Sequence, residues 1–188
     1  MKYTLQLFAS RCFRMSCRVW LLRFCSLELF VGCAASPSLS PPEAPASLTA
    51  PTNQTVYLEA LATGVQIYEC LQKADSTFEW AFKAPEASLA LRSGRSIGKH
   101  YAGPTWESND GSAVVGEVKA RDSGPSNSAI PWLLLSAKAT TGTGTFAVTK
   151  SIQRVATAGG IAPVEPCSGN NLKQVARVPY TAIYYFYK

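Results

Sequence analysis

Tyr180-Thr181-Ala182-Ile183-Tyr184-Tyr185-Phe186-Tyr187 ends one residue short of the chain's last position. Successive strand residues point to opposite faces. Four aromatics in a row therefore put apolar bulk on both faces. A strand apolar on both faces belongs inside a sheet, so this end predicts a central closing strand and not a frayed tail.

Reading outward from it, no stretch of twelve or more residues keeps a 3.6 period. Short strand-like runs recur instead, at the intervals of sandwiches and barrels. Residues 56–61 and 65–71 flank Ala62-Thr63-Gly64, which reads as a hairpin. Phe78-Glu79-Trp80-Ala81-Phe82 alternates, and Ala84-Pro85-Glu86-Ala87 is expected to turn before a short strand at 88–91. Residues 113–120 form a valine-rich strand ending in a loop at 122–127. Ile130-Pro131-Trp132-Leu133-Leu134-Leu135 is continuously apolar. Pro131 lacks a ladder donor and is placed at that strand's start. Thr141-Gly142-Thr143-Gly144 leads into a strand over 146–155, and residues 157–163 are a loop leading to Cys167. The pattern predicts an all-β fold: one sandwich or barrel-like domain of about eight to ten mostly antiparallel strands over residues 53–188.

Two segments precede that domain. Residues 1–33 have the order of an export signal, basic, then apolar, then small, although Arg23 and Glu28 interrupt the apolar run. The run is too short and charged for a transmembrane helix. Met15 is an alternative start. Phe30-Val31-Gly32-Cys33 resembles a lipoprotein cleavage box with Cys33 lipidated; simple cleavage near Ala34-Ala35 is the other exit. Residues 34–52 are rich in Pro, Ser and Ala and are expected to be a disordered tether. Asn53-Gln54-Thr55 matches the N-glycosylation triplet, which has meaning only in a eukaryotic secretory protein.

The formal charge is +6. Five basic residues against Glu28 give the leader +4, and 13 basic against 11 acidic residues leave the rest at +2. The body has no Lys/Arg run, which argues against a nucleic-acid partner. Membrane attachment is expected only through the leader or a lipid on Cys33. Four of the six cysteines lie in the leader, leaving Cys70 and Cys167. In an exported domain these predict one long-range disulfide, with two buried thiols as the alternative.

The stretch from Gly98 to Ser112 holds the only His of the chain, a Trp, two carboxylates and several turn formers. Read as a loop, it is the candidate site. His100 is a candidate general base, with Glu107 or Asp110 as partner if Gly103-Pro104 folds the loop back. Ser112 lacks a nucleophile elbow. Tyr101, Trp106 and Asn109 are candidate ligand-binding residues, since exposed aromatics stack on rings while polar neighbours orient them. One His with Cys70 and Cys167 already paired composes no zinc set. Glu107, Asn109 and Asp110 lack the alternating acidic loop of known calcium sites, so neither metal nor cofactor is expected. Two functions remain open, binding of a small ligand or a cell-envelope component and a small extracytoplasmic hydrolase or lyase using His100, beside a purely structural reading in which His100 and Trp106 pack in the core and Asp110-Gly111 makes a turn.

Several motifs occur in a fixed order: Gly64-Val65-Gln66-Ile67-Tyr68-Glu69-Cys70, Lys83-Ala84-Pro85-Glu86-Ala87, His100-Tyr101-Ala102-Gly103-Pro104-Thr105-Trp106-Glu107, Asp110-Gly111-Ser112, Ile130 to Leu135, Ile152-Gln153-Arg154-Val155, Thr157-Ala158-Gly159-Gly160, Cys167 and the Tyr-rich end. Over about residues 54–187 the chain resembles the domain-of-unknown-function 3455 family of exported bacterial and fungal proteins. The resemblance implies export and a small β domain, and no established activity. Some fungal relatives carry a malate dehydrogenase label. Gly142-Thr143-Gly144 gives it no support, lacking a third Gly, a following helix and a later acidic residue.

Overall fold

Eight strands follow one another around a ring, each antiparallel to the next. They are β1 (Val56–Gln72), β2 (Phe78–Ala90), β3 (Ser96–Tyr101), β4 (Thr105–Ser108), β5 (Ala113–Asp122), β6 (Trp132–Thr141), β7 (Ser151–Gly159) and β8 (Val175–Tyr187). β8 pairs with β7 on one side and β1 on the other, which closes the barrel. The computed structural model describes residues 39–188. The signal and lipidation readings at 1–33, and the start of the 34–52 segment, lie outside the described residues.

The C-terminal aromatics occupy both faces of β8, as their spacing predicts. Tyr180, Ala182, Tyr184 and Phe186 point into the barrel with Leu89, Trp106, Val114, Leu135 and Ile152. Tyr185 and Tyr187 lie on the outer face with Val155, where Ala44 and Ala50 pack over them. Residues 39–52, expected within a free tether, are thus folded onto the barrel from Ala44 onward. Leu48 is fully buried, and its carbonyl accepts a hydrogen bond from Gln153 Nε2. Tyr187 Oη donates in turn to Gln153 Oε1. The Pro-rich composition hid this, because two alanines and one leucine suffice to cover a face already apolar.

Two expected turns are strand interior. Gly64 lies inside the 17-residue β1 because the neighbouring backbone runs so close there. A Cβ on Gly64 would stand 2.1 Å from the Glu86 carbonyl oxygen. Its glycine marks a close strand approach and not a hairpin. Pro85 lies inside β2, paired with Gln66. β3 pairs with β2 only from Ala87 onward, so at Pro85 that side has no ladder bond to lose. The expected strand over 146–155 starts instead at Ser151, since Phe146 is folded inward with its amide donating to Ser112 Oγ at 3.0 Å. Beyond it, the expected loop at 157–163 is strand as far as Gly159. A bulge between Val155 and Ala158, with Ala156 at φ 48°, lets β7 continue along β8.

An eight-stranded barrel is just wide enough to be filled by side chains or to hold one small ligand. Here Trp106, Tyr184, Phe146 and Phe186 fill one part of it. Trp106 fits because β5 offers it Gly116. A Cβ there would lie 2.8 Å from Trp106 Cζ3 and 3.0 Å from Leu135 Cδ2. Gly116→Ala is expected to lower stability by about 1–3 kcal/mol, the usual cost of overpacking. Thermal unfolding checks this, and an unchanged midpoint would mean that Trp106 is not held against β5.

Cys70 and Cys167 form a disulfide, with Cα atoms 5.4 Å apart. It ties the end of β1 to the β7–β8 connection. Trp80 Nε1, on β2, donates to the Glu165 carbonyl beside it at 2.9 Å. The β1–β2 hairpin is thereby stapled over one mouth of the barrel.

Candidate functional site

The stretch read as a loop is mostly a hairpin of two short strands. β3 and β4 put His100 opposite Trp106 and Lys99 opposite Glu107. Alternation then decides what each side chain meets. His100 and Trp106 face inward and are buried, 2% and 1% exposed. Glu107 turns away from them. It accepts a hydrogen bond from Tyr101 Oη at 2.6 Å and pairs with Lys99 at 3.2 Å. Those two contacts, Tyr101 first, hold its carboxyl below the usual range, and the same bond pushes the Tyr101 phenol up.

Asp110 lies beyond the far end of β4 and accepts from the amide and hydroxyl of both Ser112 and Thr145. Those bonds keep it ionised well below the ordinary carboxylate range. It anchors the β6–β7 connection to the β4–β5 turn. Asn109 donates to the Ser96 carbonyl at 3.2 Å. Asn109 and Asp110 border a hollow of about 240 Å³ on which Leu58 and Leu91 also open.

The expected dyad is therefore not assembled. His100 does not meet Glu107, which faces away from it, or Asp110, whose oxygens are engaged elsewhere. Trp106 and Tyr101 do not form a stacking surface either, because Trp106 is core. The oxygen set of Glu107, Asn109 and Asp110 does not converge. Among the described residues no cluster of three or more His, Cys, Asp or Glu could hold a metal ion.

What His100 does reach is a cavity of about 570 Å³ at the stapled mouth. The mouth is open because β3 and β4 are only six and four residues long, so the wall is low there. Their turn, Ala102-Gly103-Pro104, forms part of the rim. Phe82, Val118, Ile130 and Leu133 supply apolar wall. His100 Nδ1 lies 2.8 Å from the Thr105 carbonyl oxygen. A carbonyl only accepts, so Nδ1 carries the proton and Nε2 presents a lone pair. The ring stacks on Trp106 with centroids 4.3 Å apart and meets Tyr184 edge-on at 5.2 Å. Burial pushes its pKa down to about 3, against the pull of the Thr105 bond, and the Arg154 charge lowers it further. His100 is a neutral wall residue.

Arg154 is the residue that a search for loops misses. The regular register of β7 places it opposite Tyr184 and Leu133. Its Nε and Nη2 both donate to the Pro131 carbonyl, at 3.0 and 2.8 Å. No carboxylate pairs with it among the described residues. Its charge is felt by Tyr68, Tyr180 and Tyr184, whose phenols burial raises and Arg154 partly lowers. Tyr68 Oη donates to the Gly160 carbonyl at 2.7 Å. Gln66 sits on the cavity wall, 2% exposed, and its Nε2 has no hydrogen-bond partner. Tyr180 is near enough to Gln66 and Tyr184 to be influenced by both, yet neither phenol reaches hydrogen-bond geometry. The sequence signal was available. Arg154 is two residues from core Ile152 on an apolar strand, and Gln66 continues the inward series of Ala60 and Ala62. A charge or amide on an inward register is the mark of a site or of a buried polar network.

A closed antiparallel barrel with a basic, largely apolar cavity at one mouth is the class that fold and site define. The chain belongs to the family described as protein of unknown function, DUF3455, which matches residues 51–188. No curated protein and no solved structure matches it.

Proposed function

We propose that this chain is an exported small-molecule-binding barrel, holding a ligand of mainly apolar body in the stapled mouth. The observation that carries the reading is the cavity itself. Its volume of about 570 Å³ falls within the range of ligand pockets, and its wall combines apolar side chains with a few converging polar groups. The Cys70–Cys167 disulfide fits an oxidising compartment. Binding through the mouth replaces binding through a flat His100–Asp110 loop. The hydrolase alternative loses its support with the separation of His100 from both carboxylates.

A neutral fluorescent probe, N-phenyl-1-naphthylamine, tests the reading. Saturable one-to-one binding is expected. Ala102→Trp at the exposed rim and Val118→Trp on the wall should each weaken it roughly tenfold or more by occupying the space. Circular dichroism verifies that both variants fold. Non-saturable binding, or full affinity in both folded variants, would show that the cavity is not the site.

A further inference from the structure

The mouth of the cavity is unbalanced in charge. Lys83, Arg121 and Arg154 line it, and no Asp or Glu does. The three cations are not equivalent. Lys83 is already paired with Glu69 at 3.1 Å. Arg121 is exposed, so its field is screened by water and salt. Arg154 is half-buried, lacks a carboxylate partner, and has two of its three nitrogens bonded to one backbone carbonyl. A carbonyl satisfies hydrogen bonds and does not neutralise charge. One cation inside the wall thus stays uncompensated by the described protein. The same cavity is lined by Gln66, whose unpartnered Nε2 is a second donor, and by neutral His100, whose free nitrogen can only accept.

We propose that the ligand is a monocarboxylate with an apolar body, its carboxylate seated against Arg154 with Gln66 as a second donor and its body along Phe82, Val118 and Leu133. The inference rests on the mouth being a ligand site. A charge-assisted bond from guanidinium to carboxylate is strong where the site is partly desolvated. One uncompensated inner charge matches a single negative charge. A dianion would have to turn its second charge out to the exposed Arg121, where water and salt screen the pairing. An ammonium ligand would meet Arg154 without any acidic group to hold it. Fatty acids and aromatic acids share this chemistry.

Displacement of N-phenyl-1-naphthylamine at pH 7.5 separates the possibilities. The competitors are 1-naphthoate, octanoate, their primary amides, and 1-naphthyl phosphate. At least one carboxylate should compete roughly tenfold or more better than its own amide, and the better of the two assigns the source. The phosphate should compete more weakly than 1-naphthoate. Arg154→Gln should abolish the carboxylate advantage while amide affinities stay within about twofold. The comparison of acids with amides on the unaltered protein needs no variant, so it stands even if Arg154→Gln fails to fold. Probe binding with equal affinity for acids and amides, or with the phosphate preferred, would overturn the monocarboxylate and leave the site. A carboxylate advantage that survives in folded Arg154→Gln would overturn the role of Arg154. No probe binding would overturn the site.

Discussion

Removing the Cys70–Cys167 bridge, by reduction or by the double variant Cys70→Ala with Cys167→Ala, is expected to cost roughly 4–5 kcal/mol of stability. The sequence separation of 97 residues sets that scale. A cross-link across a loop of that length removes a correspondingly large share of the unfolded chain's freedom. Against a total stability of about 5–15 kcal/mol for a typical domain, this is a large fraction. The position of the bridge adds a local effect. It fastens the β1–β2 hairpin to the β7–β8 connection, with Trp80 bonded to the Glu165 carbonyl beside it. Denaturant titrations with and without reductant measure the global term. Coincident midpoints would refute it. Before reduction, neither Cys70 nor Cys167 should be alkylated in the denatured protein.

The bridge was legible in the sequence because composition isolates two cysteines in the body. So was the all-β class, since alternation survives without knowledge of partners. Tyr184 to Tyr187 also disclosed their own placement, because four consecutive aromatics admit few other structures. The turns were misread for a common physical reason. Gly64 and Pro85 carry the same local signal whether they bend a chain or sit in a strand at a close approach or an unladdered edge. Only the partner strand distinguishes these cases. The candidate site was misread for a related reason. His100, Glu107 and Asp110 lie within eleven residues, but β4 turns Glu107 to the face opposite His100 and carries Asp110 beyond its far end. Arg154 and Gln66, 88 positions apart in the numbering, line one mouth because β1 and β7 both flank β8. Long-range closure of the ring brings them together, and no local window contains that information.

Stability is expected to fall steeply as pH drops from 6.5 to 4.5, by roughly 2–3 kcal/mol, and by about 4 kcal/mol once pH reaches 3. His100 is the cause. In the unfolded chain it takes a proton near pH 6.5; in the fold, burial pushes that event down to about 3. Between those values the unfolded state binds the proton and the native state does not. Stability is therefore whole above 6.5 and is lost as pH falls. The upper part of the window is assigned to His100, the one histidine of the chain. Asp110 and Glu107, both held ionised by hydrogen bonds, add to the loss only below about pH 4.5. Equilibrium unfolding between pH 4.5 and 7.5 measures the slope. His100→Gln, which cannot titrate, should flatten it even though it loses the stacking on Trp106. A slope unchanged in that variant, or an imidazole that titrates near 6.5 in the native protein by NMR, would show that His100 is solvated. A solvated His100 could carry charge in the cavity and reopen acid-base chemistry there. A neutral one leaves the half-buried Arg154 as the innermost cation among the described residues of the mouth and restricts His100 to accepting a hydrogen bond from whatever the barrel holds.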